Sequence, residues 1–130
     1  MTGHLWQGRF GSVVMDEEHL AHAVRYVSHN PVRARLVDRA DKWPWSSVRA
    51  HLDGTDDGLV LVKPVLDRYD PFDQFIDLGE ADMEAYQSLR QAETTGRPVG
   101  SQAWIGKLET QTGRTLSPKK RGPKTKDDSA

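Results

Sequence analysis

Hydrophobic and polar residues alternate at the start of the chain. Trp6, Phe10 and Val14 fall on one side of this pattern, and Arg9 falls on the other. A period of two residues is typical of a half-buried strand. The pattern therefore predicts an antiparallel strand over residues 5–14.

A helical repeat follows this strand. Leu20, Val24 and Val27 recur every three or four residues, and they predict the buried face of a helix that begins after an N-cap at Asp16. Pro31 is expected to end this helix and to open a second short one, because the residue before a proline is pushed out of the helical region. The two helices are predicted over residues 17–29 and 31–37.

Capping residues and glycines mark the later elements. Ser46 or Ser47 and then Ser101 stand at N-cap positions, and Gly96 and Gly113 stand where a helix ends. The pattern predicts helices over residues 48–52, 72–76, 80–93 and 102–112, a loop over 54–58, and either a strand or a buried turn over 59–62. The last two helices are expected to form a small hairpin.

The composition narrows the classes of function. The chain has no run close to the roughly 20 apolar residues that a membrane span needs, and its first residues lack the pattern of a secretory signal. The absence of cysteine excludes disulfides and thiolate metal sites. These features predict a cytoplasmic protein with no membrane partner.

Charge is unevenly distributed, although the formal net charge is only -1. Residues 1–51 carry seven Lys and Arg against five Asp and Glu, residues 52–96 carry three against eleven, and residues 97–130 carry eight against three. Basic segments at both ends suit a polyanionic partner such as nucleic acid. An ordinary solvated surface with a disordered tail is the alternative.

Tyr26 and Asn30 lie one helical turn apart, on a stripe beside the predicted apolar face. A phenol at this position can reach a substrate, and tyrosine can attack a phosphodiester to form a phosphotyrosyl link. Because the pKa of a phenol is roughly 10, such a nucleophile needs a metal ion or a cationic group to stabilise its developing charge. The amide oxygen of Asn30 could be one ligand of such a metal. A tyrosine packed at the edge of the core and a capping asparagine are equally compatible with this spacing.

Three ordered blocks of sequence resemble the REP-associated tyrosine transposases, a group within the single-tyrosine HUH transposases. The blocks are LWQGRF at residues 5–10, YVSHNPVRARLV at residues 26–37 and WPWSS at residues 43–47. The likeness extends to TGRPVGS at residues 95–101 and to the helix after it, so it covers most of the chain.

The resemblance implies cleavage and rejoining of single-stranded DNA at hairpin-bearing ends. In that family a tyrosine at the position of Tyr26 attacks the scissile phosphate and leaves a 5′-phosphotyrosine and a free 3′-hydroxyl. A divalent ion, Mg²⁺ or Mn²⁺, polarises the phosphate. A His-hydrophobic-His pair holds that ion, and a polar side chain near Asn30 assists it.

The histidine pair of the family is missing from this sequence. None of the five histidines belongs to a His-hydrophobic-His pair, and in the family that pair precedes the strand of Trp6. We therefore expect the chain to be the C-terminal portion of such a transposase, impaired in cleavage and unable to bind the metal alone. Its unpaired strand edges predict poor stability or self-association.

Basic residues are the predicted contacts to DNA. The planar fork of arginine pairs two phosphate oxygens, whereas the lysine-rich tail offers attraction that does not depend on base sequence. The predicted DNA-binding residues are Arg9, Arg33, Arg35, Arg49, Lys119, Lys120 and Arg121.

Together these features predict an α+β fold. Residues 1–53 are expected to be the C-terminal part of a ferredoxin-like HUH domain with one or two strands, residues 54–114 a mostly helical module, and residues 115–130 a disordered basic tail. The expected partner is single-stranded or hairpin DNA. A non-catalytic DNA-binding protein and an inactive transposase remnant are the alternatives.

Overall fold

Helices account for most of the computed structural model, which describes residues 11–77 and 83–118. None of the described helices is long and apolar enough to cross a membrane. The elements are α1 (Glu17–Arg33), a 3₁₀ helix (Ala40–Lys42), α2 (Val48–Asp53), α3 (Lys63–Leu66), α4 (Phe72–Asp77), α5 (Met83–Thr95) and α6 (Gln102–Thr112).

The strand predicted at the start of the chain is absent from the part of it that is described. Residues 11–14 are irregular, and Met15 forms an isolated parallel bridge with Val99. Two hydrogen bonds hold this bridge, from the Val99 amide to the Val14 carbonyl (2.9 Å) and from the Asp16 amide to the Val99 carbonyl (3.0 Å). The pairing is too short to make a strand. Residues 5–10, which carry the rest of the prediction, lie outside the described residues.

Helix α1 continues through Pro31 instead of ending before it, so the prediction of two helices is wrong. Pro31 is buried, and packing outweighs the hydrogen bond that a proline inside a helix removes. The helix ends two residues later. The Arg35 amide donates to the Val32 carbonyl (3.0 Å) and the Leu36 amide donates to the Pro31 carbonyl (2.9 Å), which is the Schellman arrangement.

The buried face of α1 is also rotated from the predicted one. Val27, which was expected on that face, is 64% exposed, whereas Ser28 and Pro31 are buried. Ser28 can be buried because its hydroxyl donates to the Val24 carbonyl of its own helix at 2.7 Å. The α1 residues that pack against the core are Ala21, Val24 and Val32.

The main hydrophobic core joins residues on both sides of the boundary that the sequence predicts at residue 53. Its buried members come from the 3₁₀ helix, α2 and α4: Ala40, Val48, Phe72, Phe75 and Ile76. Two side chains of α1 bind the end of α4. Arg25 donates to the Phe75 carbonyl (2.9 Å) and His29 donates to the Ile76 carbonyl (2.8 Å). Helix α4 is therefore fixed to α1 by polar contacts as well as by apolar packing.

The glycine-flanked loop forms as predicted, and it decides the structure of the residues after it. The side chain of Asp57 accepts hydrogen bonds from the Leu59 (3.0 Å) and Val60 (2.9 Å) amides, and Asp56 accepts one from the Val62 amide (2.9 Å). Because these three amides are already hydrogen-bonded to side chains, residues 59–62 do not pair with another segment as a strand would. Helix α3, which follows directly, was not predicted.

Helix α6 lies where the sequence predicts it, whereas α5 continues two residues past its predicted end at residue 93. Residues 80–82 of the predicted helix lie outside the described residues. The Ser101 hydroxyl accepts a hydrogen bond from the Trp104 amide (3.2 Å), and Gly113 ends α6 with φ of 66°. Gly96 follows α5 with φ of 65°. Helix α5 packs against α1, and its buried side chains are Tyr86, Leu89 and Ala92.

The carboxylate of Asp16 joins the start of α1 to the start of α6. One oxygen accepts hydrogen bonds from the His19 amide (2.9 Å) and the His19 ring (2.6 Å), and the other accepts one from the Ser101 amide (2.8 Å). Gly100 makes this approach possible. A Cβ there would lie 2.2 Å from the Trp104 ring and 3.0 Å from the Asp16 carboxylate.

We expect Asp16→Ala to lower the free energy of unfolding by about 1–2 kcal/mol at neutral pH, because it removes an N-cap and a tie between two helices. Burial raises the pKa of Asp16, but hydrogen bonds from His19 and Ser101 outweigh it and hold the pKa below its ordinary value. A depressed pKa makes the stabilisation complete above about pH 4 and removes it as the pH falls below that value.

Urea unfolding of both proteins over a series of pH values measures this effect. The difference between wild type and Asp16→Ala should narrow as the solution is acidified. Asp16→Asn, which keeps an acceptor oxygen but lacks the charge, should be less damaging and less dependent on pH. A difference that stays constant through the acid range would contradict the assignment.

Candidate functional site

Tyr26 of α1 lies where this helix packs against α5, and its side chain is half-buried. The ring centroid is 5.0 Å from that of Tyr86, and the two rings are inclined at 57°. Tyr86 is buried and forms the inner wall of this contact. The predicted nucleophile is therefore held by an aromatic neighbour from the second half of the chain.

Arg33 covers the face of the Tyr26 ring. Its guanidinium carbon is 4.2 Å from the Tyr26 centroid and 5.1 Å from the Tyr86 centroid, which are cation–π distances. The same guanidinium donates to the backbone carbonyl of Tyr26 and, at 2.7 Å, to the side-chain oxygen of Asn30. Tyr26, Asn30 and Arg33 thus lie along one stripe of α1, which the helical spacing predicted for Tyr26 and Asn30.

Arg90 of α5 approaches the phenol from a different direction. Its Nε donates to the Tyr26 hydroxyl oxygen at 3.3 Å, and its guanidinium carbon is 6.0 Å from the ring centroid. The hydrogen bond with Tyr26 raises the pKa of Arg90 above its ordinary value, so this side chain stays charged. Sequence reasoning missed Arg90. The available signal was the four-residue spacing of Tyr86 and Arg90, which puts both on one side of α5.

The site carries two positive charges, and a carboxylate, that of Glu93 on α5, acts electrostatically on one of them, Arg90. Among the side chains described in residues 11–77 and 86–118, no carboxylate forms an ion pair with Arg33 or Arg90. Arg33, Asn30 and Arg90 are all exposed. Two accessible guanidinium groups beside a hydroxyl can hold an anion, and phosphate oxygens are well suited to this geometry.

The described residues do not provide a metal site at Asn30. The amide oxygen that was predicted as a ligand accepts a hydrogen bond from Arg33, and the described chain has no group of three His, Asp or Glu side chains placed to bind a cation. Three of the histidines have other hydrogen-bond partners: His19 binds Asp16, His29 the Ile76 carbonyl and His51 the Ser47 carbonyl. The residues present therefore do not fit a bound Mg²⁺ or Mn²⁺, and we assign no chemical step to one.

The other predicted DNA contacts are distributed over the molecule. Arg35 is exposed just past the end of α1, two residues from Arg33. Arg49 lies on α2, which packs against the 3₁₀ helix and α4, and it donates to the Asp41 carbonyl at 3.0 Å. The remaining predicted contacts lie outside the described residues: Arg9, Lys119, Lys120 and Arg121.

An acidic cleft of about 210 Å³ lies between the end of α1, the 3₁₀ helix and α4. The cleft is acidic overall, although Arg39 also lines it and pairs with Asp41 at 3.1 Å. The aspartates that line it are Asp38, Asp41, Asp73 and Asp77.

Comparisons with models of protein families, with curated proteins and with solved structures found no match to this chain.

Arg35 occupies the left-handed conformation, with φ of 58°, at the position of a Schellman motif where glycine is most stable. We expect Arg35→Gly to raise the free energy of unfolding by about 0.5–1 kcal/mol because it relieves this strain. If Arg35 contacts phosphate, the same change should weaken the binding of single-stranded DNA at low salt. Urea unfolding and fluorescence anisotropy measure the two effects.

Ala34→Gly is the matched control, because Ala34 has a right-handed conformation with φ of -75°. Glycine there gains nothing sterically and should lower stability by up to about 1 kcal/mol. A loss of stability in Arg35→Gly similar to that in Ala34→Gly would contradict the strain at Arg35.

Proposed function

We propose that this chain acts on single-stranded DNA as the tyrosine-bearing part of a single-tyrosine transposase similar to the REP-associated group. One observation carries the proposal: the Tyr26 phenol lies between two arginines, with Arg33 over its ring and Arg90 at its hydroxyl. This is the cationic surrounding that a phenol needs to act as a nucleophile at phosphorus. The resemblance of the sequence blocks is the second support.

In the proposed reaction the Tyr26 oxygen forms a bond to the scissile phosphorus, and the bond from phosphorus to the 3′ oxygen breaks. The phenol gives up its proton and the departing 3′ oxygen takes one up, which leaves a 5′-phosphotyrosine and a free 3′-hydroxyl. Rejoining reverses these steps with a 3′-hydroxyl as the attacking group. The phosphotyrosyl link keeps the energy of the broken bond, so rejoining needs no external source.

The side chains around Tyr26 have distinct tasks in this reaction. Arg33 is exposed and still has N–H groups with which to bind a non-bridging phosphate oxygen. Its cation–π contact keeps the Tyr26 ring against Tyr86, and this fixes the direction of the hydroxyl. Arg35 extends the positive surface along the path of the DNA backbone.

The proposal includes a ferredoxin-like catalytic domain as the origin of residues 1–53. In that case α1 is the helix that bears the nucleophile, and α5 and α6 belong to an appended helical module. Tyr26 lies in the contact between these two parts. DNA is the proposed partner, and the cytoplasm is the proposed location.

A non-catalytic DNA-binding protein is the second candidate. The absence of a metal-binding group from the described residues favours it, because phosphodiester cleavage in the resembling family uses a divalent ion. In this case Arg33, Arg35 and Arg90 bind phosphate, and Tyr26 only packs between them. An inactive remnant of a transposase is the remaining alternative.

A covalent-adduct assay separates these candidates. The purified chain is incubated with single-stranded hairpin DNA and Mg²⁺ or Mn²⁺, and the products are run on a denaturing gel. Because the described residues do not fit a bound metal, we expect at most a weak adduct with the wild-type chain. We expect none with Tyr26→Phe, because phenylalanine has no oxygen to attack phosphorus. Tyr69→Phe is the matched control, since the buried Tyr69 hydroxyl has no hydrogen-bond partner among the described residues.

The other outcomes are equally informative. Binding that weakens with salt, without any adduct, favours the non-catalytic protein. An adduct that survives in Tyr26→Phe shows that Tyr26 is not the nucleophile. A lack of binding even at low salt contradicts both candidates.

Self-association is also part of this proposal. Val27 is 64% exposed and Trp45 is 84% exposed, which leaves apolar surface that a second copy of the chain could cover. Sedimentation velocity should show an average mass that rises with protein concentration, and Val27→Gln should reduce this rise. A constant monomer mass over the range of concentration would contradict it.

A further inference from the structure

We propose that Arg90 is a further catalytic residue of this site, one that stabilises negative charge on the Tyr26 oxygen as the bond to phosphorus forms and breaks. This inference rests on the proposed function of Tyr26. Arg90 was not among the residues that the sequence pointed to, and it comes from α5, outside the block that carries the tyrosine.

The geometry separates Arg90 from Arg33. The guanidinium carbon of Arg33 is 4.2 Å from the Tyr26 centroid, so Arg33 acts on the ring. Arg90 is 6.0 Å from the same centroid but puts Nε 3.3 Å from the hydroxyl oxygen. Of these two arginines, Arg90 is therefore the one that donates a hydrogen bond to the atom on which charge develops in the proposed reaction.

The charge of Arg90 is available for this task. The nearest influences on its ionisation are Tyr26 and Glu93, and both keep the guanidinium protonated. Its other N–H groups face no ion-pair partner among the described residues. A planar guanidinium can thus donate Nε–H to the phenol oxygen and still offer a second N–H to a phosphate oxygen beside it.

A purely structural role is a poor explanation for this contact. Arg90 is exposed, and a hydrogen bond between an exposed guanidinium and a neutral phenol adds little to stability in water. The buried residues Tyr86 and Leu89 already fix α5 against the rest of the chain. The contact gains strength when the oxygen becomes negative, because a hydrogen bond with charge on both partners is stronger than one to a neutral oxygen.

The reactivity of the phenol provides a test that needs neither DNA nor metal. A small aryl sulfonyl fluoride reacts with a tyrosine oxygen: the O–S bond forms, the S–F bond breaks, and the phenolic proton and fluoride leave. This step also places negative charge on the Tyr26 oxygen. The rate of labelling at Tyr26 in the full chain is followed by peptide mass spectrometry, with N-acetyltyrosinamide added to each reaction as the reference.

We expect Arg90→Gln to slow the labelling of Tyr26 about three- to tenfold and to leave that of the added reference unchanged. Arg114→Gln is the matched control, because it removes one positive charge from an exposed residue after α6. In this variant Tyr26 should be labelled at the wild-type rate. Arg90→Met, which keeps the aliphatic stem, takes the place of Arg90→Gln if the latter has lost its helical circular dichroism.

Equal rates for the wild type and the Arg90 variant would overturn the inference, and so would an equal loss of rate in Arg114→Gln. Its failure can be told apart from failure of the proposed function. If a DNA adduct forms at Tyr26 but the rate of sulfonyl fluoride labelling does not depend on Arg90, only the proposed role of Arg90 is contradicted. If the rate of labelling depends on Arg90 but no DNA adduct forms, the effect of Arg90 on the phenol is supported and the transposase reaction is contradicted.

Discussion

The position of Tyr26 depends on the hydrogen bonds that the Asp16 carboxylate makes to two helix starts. These bonds bring the chain that leaves α5 back to the beginning of α1, next to the bridge between Met15 and Val99. Helix α5 therefore ends beside the start of α1 and runs antiparallel to it. Tyr26 lies ten residues beyond Asp16, roughly 15 Å along α1 at 1.5 Å per residue. A similar distance back from the end of α5 reaches Tyr86. The hydrogen bonds of Asp16 therefore determine which residues of α5 contact Tyr26.

Helix α1 has packing partners on two different sides. One side packs against the core through Val24 and Val32 and binds the end of α4 with polar side chains. The other side carries Tyr26 and Arg33 and is covered in part by α5. Because α1 is held from both sides, the phenol has a defined direction, while Arg33 and Arg90 beside it are exposed. This combination of fixed geometry and access is what a nucleophile requires.

Local signals in the sequence were sufficient where the interactions are local. The N-cap at Asp16, the cap at Ser101 and the stop at Gly113 each act within a few residues, and each prediction is confirmed. The predicted stop at Pro31 was wrong because distant packing buries this proline, and Val27 was misassigned because periodicity cannot show which partner covers a helix. For the site, spacing on α1 could predict that Tyr26 and Asn30 share a stripe. The spacing of Tyr86 and Arg90 could place both on one side of α5, but no local pattern could place Arg90 beside Tyr26, which is 64 residues away in the chain.

The arrangement of charges bears on whether Tyr26 is only a packing residue. A tyrosine that merely fills the contact between α1 and α5 needs one cation–π partner at most, and Arg33 supplies it. The second arginine brings another positive charge to the same ring, and the described residues offer no carboxylate within ion-pair distance of either one. Two like charges around a neutral group repel each other, although Glu93 of α5 acts on Arg90 with the opposite charge. A phosphate or an ionised phenol between the two arginines would convert this repulsion into attraction.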